Sequence, residues 1–296
     1  MPRFHRAQLA AAASHAYPWR MDSLVSAQWL AAHLGEPDLV TVDASWHMPA
    51  SGRGGHSEYL DKHIPGARFF DIDELSDAAD PAPHMLPTAA QFGGAMEKLG
   101  ISRSDRIVVY DNSPVRSATR AWFTLRHFGA DKVAVLDGGL AAWLAAGKAV
   151  ESGEPPPRPA QFEAVERNDV VAKARLLAGD VPAVLDARGR RRFEGAEAEP
   201  RPGVAPGRIP GSLNLPFAKL YADNGRLKST DELGRLFADA GIDPSEPFVA
   251  TCGSGITAAS LLFAAHLLGG DKSLLYDGSW AQWGADPATP KAVGPA

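Results

Sequence analysis

VLDGGLAAW (residues 135–143) and LYDGSWAQW (275–283) carry the same pattern: a short apolar strand end, Asp-Gly, and a tryptophan-bearing apolar stretch. Working outward from them, three more pairs appear in the same order. VTVDAS (40–45) resembles AVLDAR (183–188), HIPGARFFD (63–71) resembles RIPGSLNLP (208–216), and RIVVYDNS (106–113) resembles PFVATCGS (247–254). All four offsets fall between 140 and 145 residues, so the pattern is a duplicated domain and not a short-period solenoid. Between the copies lies ESGEPPPRPAQ (151–161), a proline-rich stretch that reads as a stiff linker. The resulting division is an extension over 1–21, a first domain over 22–149, a linker over 150–162 and a second domain over 163–296.

Within each copy, short β-branched apolar runs alternate with helical patterns. LVTVDAS, RIVVYD and VAVLDGG are separated by TAAQFGGAMEKLG and SATRAWFTLRHFG. Strands alternating with helices predict an α/β fold, a mainly parallel sheet covered by helices on both faces. In such sheets ligands sit beyond the carboxyl ends of the strands. Asp43, Asp186, Asp137 and Asp277 recur at strand ends in both copies, which predicts structural work in turns and caps. Trp143, Trp280 and Trp283 are expected to pack.

Composition narrows the function classes. A net charge of −5 gives no electrostatic reason for nucleic acid or an anionic membrane as partner. No apolar run approaches the roughly 18 residues of a membrane span. The apolar stretch 9–13 is shorter than the roughly 7–15 residues of a signal-peptide core, so a cytoplasmic protein with a loose extension is expected. One cysteine excludes an intramolecular disulfide, a C-x-x-C pair and a multi-cysteine zinc site. The nine histidines are scattered without ligand spacing, so no metal and no cofactor are expected.

That cysteine, Cys252, opens TCGSGITA (251–258) between a buried strand, PFVAT, and a nearly all-apolar helix, AASLLFAAHLLGG, with Gly269 as its C-cap. Glycines at 253 and 255 let the backbone curl so that successive N–H groups point inward. The helix start adds partial positive charge, a setting that favours a thiolate or an anionic sulfur carried on it. A buried structural cysteine does not need this glycine-rich turn, and Cys252 reads as a nucleophile. A phosphate loop would need a lysine that is absent here. An oxyanion-gripping cysteine phosphatase would need an arginine at the position of Ala258.

Taken together, HIPGARFFDI, EGAEAEPRPG, CGSGITA and YDGSWAQW make the chain resemble the tandem-domain sulfurtransferases of the rhodanese superfamily, from about Asp22 to Gly284. The resemblance implies two tandem rhodanese-like domains, the first catalytically silent because Asp111 stands where Cys252 stands in the second. It implies a loop of Cys252, Gly253, Ser254, Gly255, Ile256 and Thr257 that cradles a persulfide. Gly253 and Ser254 replace the arginine and lysine of thiosulfate-using members, so the loop looks like that of the branch using 3-mercaptopyruvate as donor. The implied acceptor is a small thiol, thioredoxin or cyanide. Arg192 and Arg201, nine residues apart, match the family's carboxylate-gripping arginines, whereas Arg190 and Arg191 read as solvated charge. Ser254 and His63 fit a proton relay. Its aspartate has no evident counterpart in SGRGGHSEYLDKH (51–63), where Glu58 and Asp61 are the nearest substitutes. Arg208, where the family often has histidine, is given no role.

Overall fold

The computed structural model describes residues 21–295; the predicted extension falls almost wholly outside them. The first sheet has the order β1-β5-β4-β2-β3, with β1 Leu24–Val25, β2 Leu39–Asp43, β3 Arg68–Phe69, β4 Arg106–Tyr110 and β5 Val133–Leu136. The second has the order β7-β6-β8-β9, with β6 Val184–Asp186, β7 Leu213–Asn214, β8 Val249–Thr251 and β9 Leu274–Leu275. Every pairing between these strands is parallel. A parallel bridge from Val170 to Leu275 stands where β1 pairs with β5 in the first sheet, so the two copies share one topology. The central strand β4 is buried along its whole length, as expected of an apolar run covered on both faces.

The helices Ala118–His127 and Ala258–Leu267 explain why the second is apolar all round. Each covers its own sheet and packs against the other across the domain interface, with Trp122 meeting Phe263 edge-on at 4.9 Å and Thr119 Oγ1 3.0 Å from Ser260 Oγ. One continuous apolar core therefore runs through both domains, from Val40 and Phe92 to Phe237 and Leu275. Trp143, Trp280 and Trp283 are fully buried, as predicted.

The four recurring aspartates divide by task. Asp43 and Asp186 accept the backbone N–H two residues on, from Ser45 and Arg188, each at 2.9 Å, which are turn bonds. Asp137 and Asp277 instead cross between domains. Asp277 Oδ2 accepts Leu86 N–H at 2.7 Å and Asp137 Oδ1 accepts Leu227 N–H at 2.9 Å, a reciprocal pair of clamps. The proline-rich segment is also tied down. Arg158 donates to both carboxylate oxygens of Asp105 at 2.6 and 2.8 Å, and Phe162 is buried against Phe92. It belongs structurally to the first domain.

Candidate active site

β8 ends at Thr251 and the chain turns sharply at Cys252, which is 2% exposed. The turn is held from an unexpected side. Ser279 Oγ accepts the N–H groups of Cys252 and Gly255, each at 3.1 Å, and donates to Tyr276 C=O at 2.9 Å. To do so Ser279 adopts a left-handed backbone, φ 48°, uncommon for a residue with a side chain. Gly255 has φ 80°, and a Cβ there would lie 2.9 Å from both Arg120 Nη1 and Asp277 Oδ1. At Gly253 a Cβ would come within 3.2 Å of Arg192 Nη2, the mobile end of a long side chain.

Ser254 points across the domain interface. Its Oγ lies 2.9 Å from His84 Nδ1, and His84 Nε2 lies 3.0 Å from Asp73 Oδ1. The hydrogen bond from His84 holds the Asp73 carboxyl below the usual carboxylate range against the opposing effect of burial; Trp46 Nε1–H also donates to it. An ionised Asp73 can only accept, so it fixes the proton of a neutral His84 on Nε2. Nδ1 is then the acceptor for the Ser254 hydroxyl.

Two arginines border the same space. Arg192 is engaged by Glu199, with Nη2 donating to Oε2 at 2.5 Å, and Glu199 is itself buried against Arg188 at 2.8 Å. Arg201 is half-buried, and Nη2 approaches Ser254 Oγ at 3.5 Å. Among the described residues no carboxylate lies within ion-pair distance of Arg201. Burial lowers its pKa, opposed by the charge of Cys252 and reinforced by that of Arg192. A half-buried guanidinium with no carboxylate partner, beside the only thiol, suits an incoming anion.

The first domain shows what such a turn accepts. Asp111, at the position of Cys252, receives the N–H groups of Ser113 at 3.0 Å and Ala118 at 2.7 Å on its two carboxylate oxygens. Burial raises its pKa and these two bonds oppose that.

Residues 26–146 and 170–286 each match the rhodanese-like domain family. The chain belongs to that family.

This rhodanese-like pair is 42% identical to 3-mercaptopyruvate sulfurtransferase of Rattus norvegicus over 278 residues, covering 90% of this chain and 94% of the relative. It is 38% identical to thiosulfate sulfurtransferase of Rattus norvegicus over 272 residues, 88% and 91% of the two chains. The crystal structure of SseA from Escherichia coli, a 3-mercaptopyruvate sulfotransferase, superimposes with a TM-score of 0.80 at 39% identity, covering 88% of this chain and 99% of that one. Among the described residues no helix is long and apolar enough to cross a membrane.

The rhodanese-like fold corrects one expected placement. His63 does not face Ser254. It is 1% exposed, with Nδ1 2.7 Å from Tyr59 C=O, its ring stacked on Tyr59, and its backbone bridged to Glu151. The histidine that touches Ser254 is His84, and the carboxylate that touches His84 is Asp73, outside 51–63. Glu58 is occupied elsewhere, by Arg53 at 2.6 Å. Both His84 and Asp73 lie in an irregular segment, where no periodicity marks them. One signal was available: HMLPT (84–88) aligns with GRLKS (225–229), and a histidine replaces a glycine. Arg201 approaches Ser254, and Arg192 lies against Gly253, the residue after Cys252. Arg190 and Arg191 are exposed beside Glu194 and Glu197. Arg208 donates to Gly294 C=O at 2.7 Å and sits over the Phe193 ring. Ser279, Glu199 and Arg120 are additions that the sequence did not single out.

Proposed function

We propose that this enzyme is a 3-mercaptopyruvate sulfurtransferase that carries sulfur on Cys252. The observation that carries the reading is the convergence of Arg201, with no carboxylate partner, and the Ser254-His84-Asp73 chain on the only thiol. A small 2-oxo acid places its carboxylate against Arg201, with Arg192 at the far side. Arginine's planar fork suits that group. The Cys252 thiolate attacks the donor sulfur, the S–C bond breaks, and its electron pair leaves with the carbon as pyruvate enolate. The donor's thiol proton is delivered to that carbon, giving pyruvate and a Cys252 persulfide anion. Ser254 and His84 are placed to take and return this proton, with Asp73 holding the ring.

Backbone N–H groups of the loop would hold the persulfide anion, as those of Ser113 and Ala118 hold the Asp111 carboxylate in the first domain. A second nucleophile, such as a small thiol, thioredoxin or cyanide, then attacks the outer sulfur. The S–S bond breaks and its electron pair returns to Cys252. The absence of a second cysteine supports transfer to an outside acceptor, since no resolving thiol exists in the chain. A cytoplasmic location fits acceptors that must be kept reduced.

The test is a comparison of donors. Rates with 3-mercaptopyruvate are expected to exceed those with thiosulfate, because Gly253 and Ser254 place no cation in the loop for a doubly charged inorganic anion. A thiosulfate rate equal to or above the 3-mercaptopyruvate rate overturns the donor assignment.

A further inference from the structure

His84 has φ 63°, in the left-handed region that a residue with a side chain rarely adopts. The repeat shows that the fold itself makes this demand. Thr88 and Ser229 cap the equivalent helices Ala89–Lys98 and Thr230–Asp239 with the same reciprocal capping box. Leu86 and Leu227 donate to Asp277 and Asp137. Counting back two residues from each leucine reaches His84 and Gly225, and Gly225 has φ 78°. The second domain places glycine at this position, which costs nothing sterically. The half facing Cys252 places histidine there, and strained backbone persists only where its surroundings hold it.

What holds it is an ion pair that the relay itself does not include. Arg120 and Asp277 are each 3% exposed in their side chains and meet at 2.6 Å. Arg120 Nη2 donates to His84 C=O at 2.6 Å, and Asp277 Oδ2 accepts Leu86 N–H at 2.7 Å. The pair thus grips the peptide on either side of Met85, whose own C=O accepts Asp77 N–H at 2.8 Å. Arg120 and Asp277 also lie against Gly255 of the Cys252 loop. They touch both the segment that carries His84 and the loop that carries the thiol. The arginine is confined to this side. The helices Ala118–His127 and Ala258–Leu267 start and end 140 residues apart, so Ser260 occupies the place of Arg120 in the other copy. Its hydroxyl bonds to Thr119 and Tyr221 instead. An aspartate clamp serves both halves; an arginine is added only where a histidine replaces the glycine.

We infer that Arg120 and Asp277 are positioning residues for sulfur transfer, locking His84 in its left-handed conformation so that its ring bridges Ser254 and Asp73. This rests on the Ser254-His84-Asp73 relay proposed above. The test compares wild type, Arg120→Met, Arg120→Lys, His84→Ala, and the double variant Arg120→Met with His84→Ala. Each is assayed for kcat and KM with 3-mercaptopyruvate, and the His84 ring is followed by long-range 15N–1H NMR. Displacement of a reacting group by about 1 Å costs on the order of 100-fold. Arg120→Met is therefore expected to lower kcat about 10- to 100-fold with KM little changed, and to lose the single Nε2–H form of His84. Arg120→Lys, which cannot bond both partners as a planar fork, recovers only part of the rate. On a His84→Ala background, Arg120→Met adds less than about twofold, since the group it positions is gone.

Because Arg120→Met leaves Asp277 buried and uncompensated, the charge-neutral pair Arg120→Met with Asp277→Asn is measured as well. It keeps an acceptor for Leu86 N–H and is expected to show the same loss of kcat. A folded Arg120→Met or neutral-pair protein with wild-type kcat and an unchanged His84 ring overturns the inference, as does full additivity with His84→Ala. Failure of the underlying relay is read separately, as wild-type kcat in His84→Ala alone.

Discussion

Replacing Arg201 with methionine removes the one half-buried guanidinium of the site that has no carboxylate partner while keeping most of its apolar bulk. In the free enzyme burial and the charge of Arg192 work against the Arg201 cation, the charges of Cys252, Glu199 and Asp73 favour it from a distance, and its recorded polar contact is Ser254 Oγ at 3.5 Å. A bound 2-oxo acid would supply the missing anion. A charge-assisted bond contributes about 1.5–3 kcal/mol, so kcat/KM for 3-mercaptopyruvate is expected to fall roughly 10- to 150-fold, mostly through KM. Stability should move the other way. Removing a desolvated cation with no partner leaves the thermal midpoint unchanged or raises it, as happens where a site trades stability for binding. Steady-state pyruvate release and a thermal melt on the same preparation read both. Arg201→Lys, which retains charge but not the fork, should fall between. A kcat/KM within twofold of wild type refutes the carboxylate grip; a midpoint lowered by several degrees makes Arg201 a structural residue.

Other consequences separate the two histidines, the serine behind the loop and the buried carboxylates. His84→Ala should lower kcat about 100- to 10,000-fold, the range for loss of a positioned acid–base group, while His63→Ala should lower the melting midpoint and leave kcat near wild type; the reverse pattern would restore His63 to the site. Ser279→Ala strands the N–H groups of Cys252 and Gly255. Each unmade buried bond costs about 1–3 kcal/mol, so both midpoint and kcat should drop, and an unaffected enzyme would show that the loop holds its shape alone. Burial raises the pKa of Asp43 from 3.8 to about 6. The folded state then binds the proton more tightly, so its stabilising share is present below about pH 4 and is lost as pH rises through 6, by about 3 kcal/mol. Asp43→Asn should therefore exceed wild type in stability at pH 8, with the gap closing toward pH 4; a pH-independent difference contradicts the assignment.

Much of the architecture was legible because duplication writes it twice. Four ordered segment pairs defined the copies, and apolar β-branched runs separated by helical patterns implied parallel sheets, as found. The loop at Cys252 was legible because its chemistry is local: glycine where Arg192 and Arg120 press close, and a thiol at a helix start. The relay was not. His63 sits in a conspicuous turn motif, but its ring is committed to Tyr59. His84 and Asp73 lie in an irregular segment whose path is set by clamps from the other domain, and no periodicity reports contacts between residues 84 and 254. The nearly all-apolar helix Ala258–Leu267 reads as buried, but that its second face meets the first domain follows only from the packing of Phe263 on Trp122. Asp137 and Asp277 looked like turn residues because their partners lie 90 and 191 positions away.

The central claim is that Cys252 carries the transferred sulfur. The most direct measurement is the intact mass of the pure protein after brief exposure to 3-mercaptopyruvate without acceptor, with pyruvate counted in the same sample. The account predicts one added sulfur atom per chain, placed on Cys252 by peptide mapping, matched by one pyruvate and absent from Cys252→Ser. Pyruvate release without a sulfur adduct, or an equal adduct on Cys252→Ser, would contradict it.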